Sequence, residues 1–355
     1  MNKGVTKTVL EAPFVTERGA EIKNAEVAYK TWGTLNEKRS NVVVICHALT
    51  GHAAADEWFG GIFGPGRLCD ENEKFIICIN VPGSCYGSVG PWSLNPETGE
   101  PYRASFPSIS IRDMVKFQML LLDQLGIREI ETVVGGSLGG MQALEFAIMD
   151  PRVKSTILMA MGMAHNPWAI GISEAQRAAI YADPNWNNGY YNRESPPAGG
   201  LAAARMMAMI TYRTPENYEH KFGRKLQNEK GQFQVESYLN YQGKKLSSRF
   251  DALSYVKLTQ AMDTHDIARE RGTHAKVLGD VTIPVLVVGV SSDLLYPLTS
   301  QQELSRLLPL STLEIIDSEY GHDAFLIEFK KINNAIKRFR QTLQTVKNEK
   351  YNVST

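Results

Sequence analysis

The stretch from Glu131 to Ala147, ETVVGGSLGGMQALEFA, constrains the fold of this chain more than any other. A short β-branched run, 132–134, leads directly into a glycine-rich segment, and apolar residues then recur at helical spacing from Met141 to Met149. This order predicts a strand, a sharp turn and a helix. The turn would hold Ser137 in strained backbone geometry and point its hydroxyl into a crevice at the carboxyl edge of a sheet.

Two further features of this turn bear on its chemistry. Side chains at positions 135 and 139 would collide with the neighbouring strand and helix, which accounts for the glycines there. The amide of Leu138 opens the helix and has no intrahelical acceptor, so it is free to hold an oxyanion. The motif by itself also fits a glycine-rich loop with a capping serine. The strand before it and the helix after it favour a nucleophile.

Strand-like and helix-like segments alternate along much of the chain, as in a mostly parallel α/β sheet. Apolar runs typical of strands covered on both faces occur at 41–46, 75–81, 153–161 and 283–290. Near the start, two segments of alternating polarity, 8–16 and 25–32, predict an antiparallel hairpin at the sheet edge.

The pattern changes between His165 and about Asp280, where no strand of the parallel type interrupts a series of helix-like segments. These segments include 173–181, 201–212 and 251–269. We therefore predict an α/β core in two parts, residues 1–164 and 281–355, interrupted by a helical lid of residues 165–280.

One cation in the predicted lid needs an explanation. Arg205 lies in the otherwise apolar segment LAAARMMAMITYR, where a lone guanidinium requires a partner. That partner is either a substrate anion or a structural carboxylate, and composition leaves both open.

Three polar residues follow predicted strands, in the order Ser137, Asp293 and His322. This is the chain order of the α/β-hydrolase triad. His322 would accept the proton of the serine hydroxyl, and Asp293 would fix the imidazole tautomer and stabilise the imidazolium. The constellation specifies acyl transfer, but leaves open whether water, an alcohol or an amine accepts the acyl group.

The loop HALTGH, directly after the first buried strand, offers a second oxyanion amide, at Leu49. Its histidines, His47 and His52, also suggest a metal site together with Cys46. However, Cys46 and His47 would point to opposite faces of a strand, and no second ligand cluster exists. We predict a structural loop histidine and no metal.

Composition excludes several classes of function. Thirty-eight basic and 38 acidic residues give a formal net charge of zero without blocks of like charge, which argues against nucleic acid and anionic membranes as partners. No run of about 18 apolar residues occurs, so we expect a soluble, cytoplasmic protein. The four cysteines show no C-x-x-C spacing and are expected to be reduced thiols.

Several longer motifs make the chain recognisable. They are HALTGH, NVPGSCYGSVGPWSLNPETGEPY, FPSISIRDMV, GGSLGGMQALEFA, AARMMAMITYR, VESYLNYQGKKLSSRFDALSYVKLTQAMD, SSDLLYP and YGHDAFLIE. In these motifs, which span nearly the whole chain in order, the sequence resembles the homoserine O-acetyltransferase family of the α/β-hydrolase superfamily, which serves methionine biosynthesis.

The resemblance implies a ping-pong transfer of an acetyl group from acetyl-CoA, through Ser137, to the hydroxyl of L-homoserine. Arg205 would hold the carboxylate of the amino acid, Asp323 its ammonium group, and Tyr212 would line the pocket. The amides of Leu49 and Leu138 would form the oxyanion hole. The resemblance also implies a homodimer formed through the helical lid, with no permanently bound cofactor and no metal.

Three alternatives remain open at this point. Relatives that use succinyl-CoA or L-serine share the triad, so donor and acceptor are not fixed by it. A carboxylesterase would use water as acceptor. A catalytically silent binding protein on this fold is the third alternative, and the intact Ser137, Asp293 and His322 argue against it.

Overall fold

The computed structural model describes residues 4–229 and 231–353, with side chains up to residue 343. The described residues form these strands: β1 (Thr6–Val9), β2 (Phe14–Val15), β3 (Glu21–Ile22), β4 (Glu26–Trp32), β5 (Val42–Cys46), β6 (Phe75–Ile79), β7 (Ile130–Gly136), β8 (Thr156–Met159), β9 (Val285–Val290) and β10 (Ser311–Ile316). Eight of them make one sheet in the order β1-β4-β6-β5-β7-β8-β9-β10. The six strands from β6 to β10 in this order are parallel, and β1 and β4 form an antiparallel edge.

The predicted N-terminal hairpin is only partly correct. β1 does pair with β4 in antiparallel fashion, with Thr8 opposite Val27. The second half of the predicted first arm, however, leaves the ladder and forms a separate two-stranded sheet, β2 with β3. The register shifts by one residue between the two ladders, since Val9 is opposite Glu26 but Phe14 is opposite Ile22. Asn24, with a φ of 52°, interrupts the regular strand conformation at this point.

The described helices are α1 (Ile111–Gln124), α2 (Leu138–Met149), α3 (Pro167–Tyr181), α4 (Ala198–Thr211), α5 (Pro215–Lys221), α6 (Gln234–Ser247), α7 (Ala252–Asp263), α8 (His274–Gly279), α9 (Leu298–Leu307) and α10 (Phe329–Val353). Residues of β5 alternate between two buried clusters: Val42 and Val44 belong to the cluster that holds α1 and α2, and Val43 and Ile45 to the one that holds α10. Both faces of the sheet are therefore covered, which explains why its central strands are almost wholly apolar.

Six helices, α3 to α8, lie between β8 and β9 and form the helical insertion. The predicted helix 251–269 is shorter than expected, because α7 ends at Asp263. The following residues form turns, and Asp266 among them pairs with Ala164 in an antiparallel bridge. This bridge joins the segment between α7 and α8 to the entrance of the insertion. Within the described part of the chain, no helix is both long and apolar enough to cross a membrane.

Candidate active site

Ser137 occupies the predicted turn between β7 and α2, with φ 55° and ψ −125°, a region that non-glycine residues rarely adopt. The surrounding glycines leave no room for side chains. A Cβ at Gly135 would lie 2.2 Å from the carbonyl oxygen of Gly139, and a Cβ at Gly139 would lie 2.1 Å from that of Cys46. The predicted steric reason for these two glycines is confirmed.

Asp293 follows β9, and His322 lies in the short 3₁₀ turn that follows β10. The Nδ1–H of His322 donates to Asp293 Oδ2 at 2.8 Å. The other carboxylate oxygen accepts the amides of Leu295 at 2.8 Å and Tyr296 at 2.9 Å. Asp293 is thus held from both sides, and it fixes the imidazole tautomer that leaves Nε2 available to take a proton.

The structure brings Ser137 and His322 to the same edge of the sheet. The link is Phe325, whose ring lies against Gly136 and 5.6 Å from the His322 ring. The Ser137 hydroxyl forms no hydrogen bond with any described residue, so the predicted hydrogen bond to the His322 imidazole is not formed in this structure. Catalytic hydrogen bonds commonly tighten only when substrate is bound.

The pKa of His322 lies above its ordinary value. Burial by itself would lower this pKa, but the charge and hydrogen bond of Asp293, with a smaller contribution from Asp323, outweigh the cost of burial. The site therefore favours the imidazolium, which is the form that a general base adopts after it has taken a proton.

The two residues predicted to supply oxyanion amides lie at the ends of neighbouring strands. Leu138 is the first residue of α2, so its amide has no carbonyl one turn back in the helix. Leu49 is buried in the loop after β5. Gln142 of α2 donates to the carbonyl of His47 at 3.1 Å and so ties this loop to the helix.

His47 is a structural residue of that loop, as predicted. Its Nδ1 bonds the carbonyl of Ala48 at 2.9 Å, and its Nε2 accepts the amide of Val81 at 3.2 Å. Burial lowers the pKa of His47 to about 4, so the ring is neutral at pH 7. Within the described residues, no group of three or more His, Cys, Asp or Glu is placed to hold a metal ion.

Arg205 lies on α4 with its guanidinium carbon 5.6 Å from the centre of the Tyr212 ring. It forms no ion pair with any described carboxylate, so the structural salt bridge considered from composition is not formed. The Tyr212 ring in turn lies 5.6 Å from the His322 ring. A half-buried guanidinium with no ion-pair partner among the described residues thus lies close to His322, and such a group can bind a substrate anion.

Asp323 follows His322 directly and forms an ion pair with Arg213. Its Oδ2 accepts a hydrogen bond from Arg213 Nε at 2.9 Å. Burial raises the pKa of Asp323, against the lowering effect of the cations Arg213, His322 and Arg205. Sequence reasoning missed Arg213, although it follows Tyr212 directly at the end of the predicted lid helix.

The fold and this site define an α/β hydrolase, and the model of the α/β-hydrolase fold family matches residues 41–329 of the chain. The chain is 54% identical over 336 residues to the homoserine O-acetyltransferase of Chlorobium chlorochromatii (strain CaD3), a match that covers 94% of each protein. The chain belongs to the homoserine O-acetyltransferase family, which confirms the resemblance seen in its motifs.

Solved structures agree with this assignment. The homoserine O-acetyltransferase of Bacillus anthracis superposes with a TM-score of 0.87 at 27% identity and covers 94% of this chain and 96% of its own. Esterase E22 superposes with a TM-score of 0.86 at 29% identity, covering 94% and 99% of the two chains. Both a transferase and a hydrolase therefore share this architecture.

Proposed function

We propose that this protein is a homoserine O-acetyltransferase that moves an acetyl group from acetyl-CoA to the hydroxyl of L-homoserine, by a ping-pong mechanism, in methionine biosynthesis. The observation that carries the proposal is the identity of about half of all residues, over 94% of the chain, with proteins of that name. The geometry around Ser137 and His322 supports it.

In the first half-reaction, Ser137 Oγ attacks the thioester carbonyl while His322 Nε2 takes the hydroxyl proton. Asp293 stabilises the resulting imidazolium through its bond to Nδ1. The amides of Leu138 and Leu49 hold the oxyanion. When the carbon–sulfur bond breaks, the imidazolium returns its proton to the leaving thiolate, which departs as coenzyme A, and the acetyl group stays on Ser137.

In the second half-reaction, His322 takes the proton of the homoserine hydroxyl, and the oxygen attacks the acetylated serine. Arg205 would hold the carboxylate of the amino acid, with Tyr212 as the wall between this cation and the base. Asp323 would hold the ammonium group and share its charge with Arg213. Collapse of the intermediate releases O-acetylhomoserine and returns the proton to Ser137 Oγ.

We also propose that residues 165–280 act as a lid over the core formed by 1–164 and 281–355, and that two copies associate through this lid. Exposed apolar side chains on two helices that pack together, Ile210 of α4 and Tyr241 of α6, support the dimer. Association of two copies through this surface would remove these apolar side chains from water, which favours the dimer. We propose that the enzyme works in the cytoplasm.

A second candidate is ester hydrolysis, because esterase E22 matches nearly the whole fold. The two activities share acetylation of Ser137 and differ only in the acceptor. A lone cation at Arg205 favours the transferase, since acetate release from a simple ester does not require recognition of an amino acid carboxylate.

The test is free-thiol release from acetyl-CoA and from succinyl-CoA, each with L-homoserine, with L-serine and with water alone. We expect release that requires both acetyl-CoA and L-homoserine. Release without an acceptor would identify a hydrolase, and release only with succinyl-CoA or L-serine would replace the proposed substrates. Failure of a serine-directed phosphonate to label Ser137 would indicate a silent binding protein.

A further inference from the structure

Tyr296 is a fully buried residue whose polar groups are all bonded. Its amide donates to Asp293 Oδ1 at 2.9 Å, and its carbonyl accepts from Gln301 Nε2 at 3.2 Å. Its hydroxyl bonds His165 Nδ1 at 2.8 Å. Three separate anchors therefore fix both the backbone and the far end of this side chain.

The ring held in this way lies against the catalytic base. The centres of the Tyr296 and His322 rings are 5.4 Å apart, with their planes inclined by 39°. At this distance the ring restricts rotation of the imidazole, and its face attracts the imidazolium that forms in each half-reaction. Tyr296 thus touches both members of the Asp293–His322 pair.

His165, the partner of the tyrosine hydroxyl, belongs to the base of the helical insertion. Its amide donates to the carbonyl of His265 at 2.8 Å, beside the bridge that joins the entrance of the insertion to the segment between α7 and α8. Burial, together with His265 and Arg177, lowers the pKa of His165 to about 3, so its ring is neutral. A hydrogen on Nε2 is favoured because a carboxylate oxygen of Asp263 faces that nitrogen, and in this tautomer Nδ1 accepts a hydrogen bond from the tyrosine hydroxyl.

That Nε2–H faces a carboxylate. Asp263 Oδ1 lies 3.7 Å from it, and neither atom has a hydrogen-bond partner among the described residues. The other oxygen of Asp263 is paired with Arg177 Nη2 at 2.7 Å. Asp263, His165 and Tyr296 thus repeat the carboxylate–imidazole–hydroxyl order of the catalytic residues, and the two series meet where Tyr296 contacts His322.

We propose that Tyr296 is a positioning residue for His322 and that His165, by holding its hydroxyl, makes the placement of the catalytic base depend on the base of the helical insertion. The inference rests on the proposed function, since it assigns His322 the role of base in both half-reactions. Without the hydroxyl anchor the ring loses its fixed place, and the imidazole spends less time in the orientation that the proton transfer requires.

The experiment compares Tyr296→Phe, His165→Leu and His165→Asn in the full-length enzyme. Asparagine keeps a hydrogen-bond acceptor near the position of Nδ1, whereas leucine removes it. The matched control is Tyr255→Phe, which deletes another fully buried tyrosine hydroxyl, one that bonds Gln176 at 2.8 Å instead. Acetylation of the serine is followed as the burst of p-nitrophenol from p-nitrophenyl acetate, and full turnover as thiol release from acetyl-CoA with L-homoserine.

We expect Tyr296→Phe and His165→Leu to slow the burst by about 10- to 100-fold, the range for a misplaced catalytic group, with no change in KM for L-homoserine. His165→Asn should recover the burst rate to within about threefold of wild type, and Tyr255→Phe should stay within about twofold. A burst of wild-type rate in Tyr296→Phe, or equal loss in His165→Asn and His165→Leu, would overturn the proposal. Equal slowing in Tyr255→Phe would also overturn it, because any buried hydroxyl would then have the same effect.

Thermal melting of each variant separates loss of fold from loss of positioning. If His165→Leu does not fold, the burst rates of Tyr296→Phe and Tyr255→Phe are compared instead. A slower burst in Tyr296→Phe alone supports the positioning role of Tyr296. A wild-type burst without homoserine-dependent thiol release would count against the proposed function alone, and the variant series would still decide the role of Tyr296.

Discussion

The amide of Asp323 donates a hydrogen bond to the carbonyl of Tyr212 at 3.1 Å, which ties the end of helix α4 to the residue after His322. The ion pair between Arg213 and Asp323 and the bond from the Thr214 hydroxyl to the carbonyl of Glu319 at 2.7 Å reinforce this connection. The helical insertion and the turn that carries His322 are therefore joined by backbone as well as side chains.

Replacement of Ser137 separates catalysis from backbone strain. Ser137→Ala should abolish acetylation, with a loss on the order of 10⁴ to 10⁶ in kcat, because the nucleophile is gone. Ser137→Gly should lose the same activity but gain about 1 kcal/mol in the free energy of unfolding. Relief of the strained φ/ψ provides about 1–3 kcal/mol, and the added freedom of the unfolded chain costs about 0.4–1 kcal/mol.

The alanine variant is the control for the glycine variant, since it loses the hydroxyl but keeps the strained conformation. Thiol release from acetyl-CoA and urea unfolding measure the two effects. A Ser137→Gly protein no more stable than Ser137→Ala would show that the turn stores no strain, and near-normal turnover in either variant would eliminate Ser137 as nucleophile.

Arg205→Ala tests recognition of the acceptor. The change should reduce kcat/KM for L-homoserine by a factor equivalent to about 2–5 kcal/mol of transition-state free energy, because the carboxylate of the amino acid loses its charged partner. The burst from p-nitrophenyl acetate should stay near the wild-type rate, since acetylation of Ser137 precedes binding of the amino acid.

Arg224→Ala is the matched control for Arg205→Ala. Arg224 is another arginine of the helical insertion that lies over an aromatic ring, 5.3 Å from the centre of Phe233, but it is exposed. Its removal should leave both half-reactions unchanged. Equal damage to both half-reactions in Arg205→Ala would indicate a structural role for that arginine.

The pH dependence of acetylation should report on His322. The base must be neutral to take the serine proton, so the rate should rise with pH through a midpoint above about 6.5, the ordinary histidine pKa, because Asp293 and Asp323 raise the pKa of His322. Asp323→Asn removes one of these negative charges and leaves the Arg213 cation unpaired. Both effects lower the pKa of His322, so the midpoint should move to lower pH.

The burst rate with p-nitrophenyl acetate, measured across pH, gives this midpoint without involvement of the amino acid. Asp317→Asn removes an exposed carboxylate from the loop after β10, the strand that also precedes Asp323, and should leave the midpoint unchanged. A midpoint that stays fixed, or moves to higher pH, in Asp323→Asn would contradict the electrostatic argument.

The parts of this site that could be predicted are those that the local backbone dictates. The turn at Ser137 could be predicted because its steric requirements lie in adjacent residues. Only glycine fits at positions 135 and 139, where α2 packs closely against β7 and β5. His47 could be assigned to the structure of its loop because adjacent strand residues point to opposite faces. The grouping of Ser137, Asp293 and His322 could also be predicted, because each of them follows a predicted strand.

The contacts that sequence reasoning missed join residues far apart in the chain. Arg213 and Asp323 are 110 positions apart, and His165 and Tyr296 are 131. No spacing rule relates such pairs, and a single tyrosine or arginine has the same local pattern whether it is packed in a core or placed beside a catalytic base. Their roles come from the meeting of the helical insertion with the ends of β9 and β10, which only the tertiary structure provides.

Two helical glycines should respond in opposite ways to alanine. Gly139→Ala places a Cβ 2.1 Å from the backbone oxygen of Cys46, so β5 and α2 must separate at the catalytic edge. This should cost about 3 kcal/mol in the free energy of unfolding and slow acetylation, since the adjacent Leu138 amide moves with the helix. Gly171→Ala, at an exposed position of α3 with no atom within 4 Å of the added carbon, should instead stabilise the protein by about 1 kcal/mol with normal activity. Urea unfolding compares the two, and similar stabilities would mean that the close approach of β5 to α2 does not require glycine.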